Sequence, residues 1–120
     1  MANLLLIDDE VKLRGLLKRI LELEGYHVSE AGDARSAFSI LEKQDIQAVI
    51  CDVKLPDAHG VELTKQLKAS FPLVEFILLT AYGTIADGVQ AVKNGAFDYL
   101  TKGDDNDRIV PLVARAVEKA

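Results

Sequence analysis

The chain has 120 residues, 49% of them hydrophobic and 28% charged, with a formal net charge of -5 and an isoelectric point near 5.0. That size suits one folded domain. An acidic surface repels phosphate backbones, which argues against direct nucleic-acid binding. No apolar stretch approaches the ~20 residues of a membrane span, and the opening residues lack the basic and then long apolar pattern of a secretory leader, so a cytoplasmic protein is expected.

In chain order, the first apolar run, residues 4–7, reads as a strand and delivers the chain to Asp8 and Asp9. Residues 11–24 follow with helical period. They set Leu13, Leu16, Leu17, Ile20 and Leu21 on one stripe and stop at Gly25, a favoured residue just past a helix end. A second strand is expected over 26–28, and a second helix over 34–43 with Asp33 as its N-cap and Ala37, Phe38 and Leu41 facing inward. The third strand, 48–51, leads to Asp52, and the third helix, 61–69, ends before Pro72. Within that strand the single cysteine, Cys51, reads as a buried, reduced thiol. The fourth strand, 76–79, leads to Thr80. The helix after it, 85–94, has Thr84 with Asp87 three residues on as a start signal and Gly95 as a stop. The fifth strand, 97–100, brings the chain to Lys102. The last helix, 108–119, follows the cluster Asp104, Asp105, Asn106 and Asp107, whose acids complement a helix dipole. Proline is comfortable only in a first helical turn, so Pro111 predicts a distorted start to this helix.

Short, continuous apolar runs that alternate with helices indicate parallel strands covered on both faces. Right-handed crossovers then give an α/β, flavodoxin-like (βα)5 fold, a doubly wound five-stranded parallel sheet of order 2-1-3-4-5, with residues 1–120 as one domain. In such a sheet the carboxyl ends of the strands meet along one edge, so Asp8, Asp9, Asp52, Thr80 and Lys102 converge there. Three crowded acids repel one another unless a cation sits among them, and hard divalent cations such as Mg2+ prefer oxygen ligands. The set points to phosphoryl chemistry at a metal site. Taken singly, each residue has a plainer reading: an acidic pair after a strand is often an N-cap with a surface neighbour, and a lone Asp, Thr or Lys is usually a solvated loop residue. Their joint occurrence on the right elements outweighs those readings. His27 and His59 gain no role from their surroundings.

The segments LLLIDDE, VICDVKLPDAHG, FILLTAYG and NGAFDYLTK together resemble the receiver domain of bacterial two-component response regulators, over essentially the whole chain. The wording AYGTIADGVQAVKNGAFDYLTK is most similar to receivers at the N-terminus of sigma-54-dependent transcriptional activators. The resemblance implies a phosphoacceptor rather than an enzyme. Asp52 would attack a phosphoryl group carried by a histidine of a sensor kinase or phosphotransfer protein. Asp9 would bind Mg2+ directly and Asp8 through water, with Asp52 and the backbone carbonyl of Lys54 completing the protein's share. Lys102 would pair with one phosphoryl oxygen and Thr80 donate to another, while the small Ala81 leaves room. Because these donors are preset, the domain would assist its own phosphorylation and slow hydrolysis. Thr80 and then Tyr99 would turn inward on phosphorylation, so that the face of the fourth helix, fifth strand and fifth helix reports the state through dimer formation. The narrower resemblance implies sigma-54-dependent transcription as the output, through domains outside these residues, and the helical pattern running to Ala120 without a linker is what an excised domain would show; the alternative is a stand-alone single-domain phosphorelay regulator.

One position departs from the family pattern. A proline, joined through a cis peptide, usually follows the lysine, whereas Gly103 and then Asp104 follow Lys102. A cis bond without proline costs about 2.5–4 kcal/mol, so a trans bond and a more mobile loop are expected there, with altered kinase docking or phosphoryl lifetime. Lys54 and Tyr82, two residues past Asp52 and Thr80, hold positions that in this family shape water access, and their bulk predicts slow self-hydrolysis. Two other classes fit less well. A haloacid-dehalogenase-type phosphatase carries a second aspartate where Lys54 stands. A flavin-binding module of this fold needs hydroxyls and glycines where Asp8, Asp9 and Glu10 would repel an anionic cofactor.

Overall fold

The structure is a computed structural model that describes residues 2–80, 85–102 and 106–120. Five strands alternate with five helices: β1 (Asn3–Ile7), α1 (Val11–Leu23), β2 (His27–Ala31), α2 (Ala34–Lys43), β3 (Ala48–Asp52), α3 (Gly60–Ser70), β4 (Glu75–Thr80), α4 (Ile85–Lys93), β5 (Asp98–Thr101) and α5 (Ile109–Lys119), the last entered through a 3-10 turn at Asn106–Arg108. All pairings are parallel, in the order β2-β1-β3-β4-β5. The chain therefore has the flavodoxin-like doubly wound topology expected from its alternating pattern.

The central strands are buried along nearly their whole length because helices cover both faces. Pleating divides their side chains between two layers. Leu4, Leu6, Ile50, Ile77, Leu79 and Leu100 pack with α1 and α5, whereas Leu5, Ile7, Val49, Cys51, Phe76 and Leu78 pack with α2, α3 and α4. The two edge strands are less covered. This explains why an apolar run marked only the beginning of β2: a half-covered strand continues through Ser29 and Glu30 without needing apolar residues there.

Helix ends follow local chemistry. Asp33 accepts from the Ser36 N–H at 2.7 Å as the N-cap of α2. Gly25 and Gly95 adopt φ of 94° and 102°, a region that costs a glycine little. Each closes its helix with paired bonds, Tyr26 N–H to Leu21 O with Gly25 N–H to Glu22 O, and Ala96 N–H to Ala91 O with Gly95 N–H to Val92 O. Pro111 is the third residue of α5, inside its first turn, and the expected distortion is the 3-10 turn just before it. Thr84, the expected cap of α4, lies outside the described residues, as do Asp104 and Asp105.

Two inward assignments need correction. Leu16 is 49% exposed and Phe38 is 42% exposed. The buried stripe of α1 is narrower than its apolar stripe, with Leu17 and Leu21 at its centre, and Phe38 lies at the rim of α2, edge-on to Phe71 with ring centroids 5.8 Å apart. Among the described residues, no helix is long and apolar enough to cross a membrane.

Candidate functional site

Backbone ladders continue one step past the strands and carry the polar residues with them. Asp8 N–H donates to Ala31 O at 3.0 Å, Val53 N–H to Leu79 O at 3.0 Å, and Lys102 N–H to Thr80 O at 2.8 Å. The pleat then sorts the side chains. Asp52 is two residues beyond Ile50 and Lys102 two beyond Leu100, so both continue the α1/α5 side of the sheet, as Asp8 does after Leu6. Thr80 follows Leu78 and continues the opposite side.

The result is one ammonium group among three carboxylates. Lys102 Nζ lies 2.9 Å from Asp52 Oδ2, 3.0 Å from Glu10 Oε1 and 3.1 Å from Asp8 Oδ2. Asp8 and Asp52 are buried and Glu10 is exposed. The Asp8 carboxyl is held above its usual range, first by burial and then by the Asp52 charge, against the hydrogen bond its Oδ1 accepts from Glu10 N–H at 2.8 Å. Burial works against the Lys102 charge, yet hydrogen bonds to Asp52 and Glu10 and the charges of Asp8 and Asp52 outweigh it and hold the ammonium above its usual range. Burial, followed by the Asp52 and Asp8 charges, pushes the Cys51 thiol far up, so it stays protonated and unreactive.

The β3–α3 loop beside Asp52 is tied on every side. Lys54 and His59 form an antiparallel bridge, Leu55 N–H donates to Ala58 O at 3.1 Å, and the exposed Asp57 accepts from Ala34 and Arg35 N–H at 2.8 and 3.2 Å. Gly60 opens α3 against the backbone of the acidic residue itself. A Cβ there would collide with the Asp52 carbonyl oxygen and stand 2.7 Å from Val53 Cα, so only glycine admits this approach. On the other flank, Arg14 donates to Asp8 O at 2.7 Å and to Glu30 Oε1 at 3.0 Å.

Of the residues expected at the site, Asp8, Asp52 and Lys102 come together. Asp9 is exposed and stands outside the one group of three metal-capable carboxylates among the described residues, where Glu10 takes a place. Thr80 is buried, and its hydroxyl donates at 3.5 Å to Leu100 O on β5, a weak bond at that length. For Lys54, the contact to the site is its N–H, 3.4 Å from Asp52 Oδ1. Tyr99 is half-buried against the α2/α3/α4 core. Ala81, Tyr82 and Gly103, and with Gly103 the expected trans bond after Lys102, lie outside the described residues. Glu10, Arg14, Asp57 and Gly60 were not singled out as site residues by the sequence reading. The unbroken acidic run Asp8, Asp9, Glu10 was the available signal for Glu10, whereas the others act through tertiary contacts that no local pattern encodes.

The donor set fits Mg2+. One carboxylate oxygen from each of Asp8, Glu10 and Asp52 lies within 4.8 Å of the others. Asp8 Oδ2 is buried with the Lys102 ammonium 3.1 Å away, and one lysine shared among three acids leaves them with excess negative charge. Hard oxygen donors carrying surplus charge are what this ion binds.

Residues 4–114 match the response regulator receiver domain family. An NtrX-like response regulator of Rickettsia bellii is 34% identical over 120 residues, 98% of this chain and 25% of that protein, so the chain spans about a quarter of the length of the curated relatives it matches. The receiver domain of NtrX from Brucella abortus superposes with a TM-score of 0.92 at 30% identity, covering 98% of this chain and 99% of that one. A beryllofluoride-activated NtrC4 receiver domain dimer superposes with a TM-score of 0.93 at 31% identity, covering 99% and 98%. Fold, acidic cluster and these likenesses agree: the chain belongs to the response regulator receiver family, is related to the receivers of NtrX/NtrC-type activators, and is a phosphoacceptor module, not a classical enzyme, with an acidic cluster suited to Mg2+.

Proposed function

We propose that residues 1–120 form one receiver domain in which Asp52 is the phosphoacceptor. The observation that carries this reading is the position of Asp52, buried between Asp8 and Lys102 with its Oδ2 fixed by the ammonium at 2.9 Å. Among the described residues, its other oxygen, Oδ1, has only the 3.4 Å contact from Lys54 N–H and is the freer atom for attack. An Asp52 oxygen bonds to phosphorus as the bond from phosphorus to the donor histidine nitrogen breaks, and the leaving imidazole keeps the electron pair. Lys102 then pairs with a phosphoryl oxygen, Thr80 leaves its weak bond to Leu100 and donates to another, and Ala81 leaves room for the group. Asp8, Asp9, Asp52 and the Lys54 backbone carbonyl would hold Mg2+, with the Glu10 carboxylate near enough to assist. When bound, Mg2+ neutralises charge that builds up on the phosphoryl oxygens.

The output follows from Thr80. Drawing its hydroxyl toward the phosphoryl group shifts the neighbouring β5 edge, and Tyr99 carries the change to the face formed by α4, β5 and α5, where a second copy of the domain docks. The kinship with NtrX/NtrC-type proteins supports a cytoplasmic setting and a sigma-54-dependent transcriptional output through domains outside these residues, with nucleic-acid contact left to those domains; a stand-alone phosphorelay regulator is the alternative. The first experiment is intact-mass measurement after incubation with Mg2+ and a small acyl phosphate. The expected result is a metal-dependent gain of one phosphoryl group that is lost in Asp52→Asn. Uptake that survives in the variant would move the acceptor elsewhere.

A further inference from the structure

Tyr99 stands opposite Leu78 in the β4–β5 register, which turns its ring toward the α2/α3/α4 layer. What it meets there is a bare stretch of helix. Gly88, buried in the middle of α4, has the ring against the position its side chain would occupy: a Cβ built on Gly88 would lie 2.5, 2.6 and 2.6 Å from Tyr99 Cδ1, Cδ2 and Cε1. Real Cβ contacts essentially never fall below 3.0 Å, so a methyl group at residue 88 and the ring in its present place exclude each other. Both backbones are constrained, that of β5 by its ladder with β4 and that of α4 by its closing bonds at Gly95. The ring therefore has to yield. Glycine is also a poor helix former compared with alanine, so helix propensity gives no reason for its presence at this buried position.

We propose that Gly88 is the seat of the Tyr99 ring and sets the resting position from which Tyr99 answers phosphorylation. The second half of this statement rests on the switch role given to Tyr99 above. Gly88 is a positioning residue, remote from the reacting atoms. The same helix presents Val89 and Val92 to solvent, 43% and 45% exposed, so the seat couples the tyrosine to the apolar face that a partner would meet. With a methyl group in the seat, the ring rests outside it before any phosphoryl group arrives, and little movement is left to report.

The test compares the 120-residue protein with Gly88→Ala, Tyr99→Ala and the double variant. Gly88→Ala lowers the midpoint of thermal unfolding by roughly 3–6 °C when Tyr99 is present and raises it when Tyr99 is alanine, because only helix propensity is then left to act. If Gly88→Ala does not fold alone, recovery of folding in the Tyr99→Ala background is the same reversal of sign. The response is read from ring-labelled tyrosine by NMR. The chain has three tyrosines, and Tyr99→Phe assigns the relevant resonance. Gly88→Ala moves that resonance in the unphosphorylated protein and cuts its change on treatment with acyl phosphate and Mg2+ to less than half, while phosphoryl uptake by intact mass stays within twofold. A stabilising effect of Gly88→Ala in both backgrounds, or failure to fold in both, overturns the seat. A Tyr99 resonance that ignores phosphorylation in the unsubstituted protein, with the sign reversal intact, overturns the switch and the control assigned to Gly88, leaving only a packing contact.

Discussion

At the amino end of β4, Glu75 is a buried carboxylate flanked by two lysines, Lys68 at 3.2 Å and Lys119 at 3.6 Å. At the carboxyl end of the same sheet, Lys102 is one ammonium flanked by three carboxylates. Both clusters bury charge at a strand terminus, but the excess charge has opposite sign in the two. The amino-end cluster supplies its own counter-charge: Lys68 also donates to Val74 O at 2.8 Å, and Lys119 lies 5.7 Å from the centre of the Phe97 ring. The carboxyl-end cluster is short of positive charge, a deficit that a cation from outside would balance. Burying charge is costly in either place, so the cluster that cannot neutralise itself marks the working end.

The comparison can be broken by removing the lysine at each end. Lys102→Ala takes away the donor meant for a phosphoryl oxygen, and the rate of phosphoryl uptake from an acyl phosphate at saturating Mg2+ should fall by on the order of 10²-fold. An unchanged rate would make Lys102 a structural counter-ion like its amino-end counterpart. Lys68→Met should do the reverse. Glu75 is left with the more distant and largely exposed Lys119, costing on the order of 2–3 kcal/mol in denaturant unfolding, with phosphoryl uptake unaltered. Removing an acid sharpens the contrast. Asp8→Asn keeps the Oδ1 acceptor for Glu10 N–H while removing charge from a buried oxygen crowded by Asp52, and should stabilise the metal-free protein by roughly 1–2 kcal/mol at neutral pH. The sign follows from linkage. An acid whose folded pKa is raised binds its proton more tightly when folded, so its penalty is absent below its unfolded value near 3.8, grows as pH rises through the raised value and is complete above it. The gain in Asp8→Asn should therefore vanish in acid; a gain that persists below pH 3.8 would mean that charge is not its cause.

The fold was almost wholly legible because its signals are local and repeated. Five short apolar runs, each followed by a polar residue and a helical segment, leave few topologies for a chain of this size. Errors gathered where only one side of an element is covered: β2 runs on past its apolar residues, and Leu16 and Phe38 are apolar but lie at helix rims. The site was legible at the level of convergence, since strand order alone brings Asp8, Asp52 and Lys102 to one edge. The side of the sheet each residue takes was harder to read. Thr80 is adjacent to Leu79, which is opposite Asp52 in the register, yet the pleat turns its hydroxyl to Leu100. Glu10 has no signal beyond the acidic run Asp8, Asp9, Glu10, and only the turn after β1 directs its longer side chain to Lys102.

Asp57 gives helix α2 an unusual origin. Two of its first backbone N–H groups, those of Ala34 and Arg35, are satisfied by a carboxylate from a loop more than twenty residues away, while its own Asp33 serves Ser36. That loop is the one that leaves β3 at Asp52. The amide protons of Ala34 and Arg35 are therefore a gauge on another element: their exchange with solvent deuterium reports each opening of the loop beside Asp52.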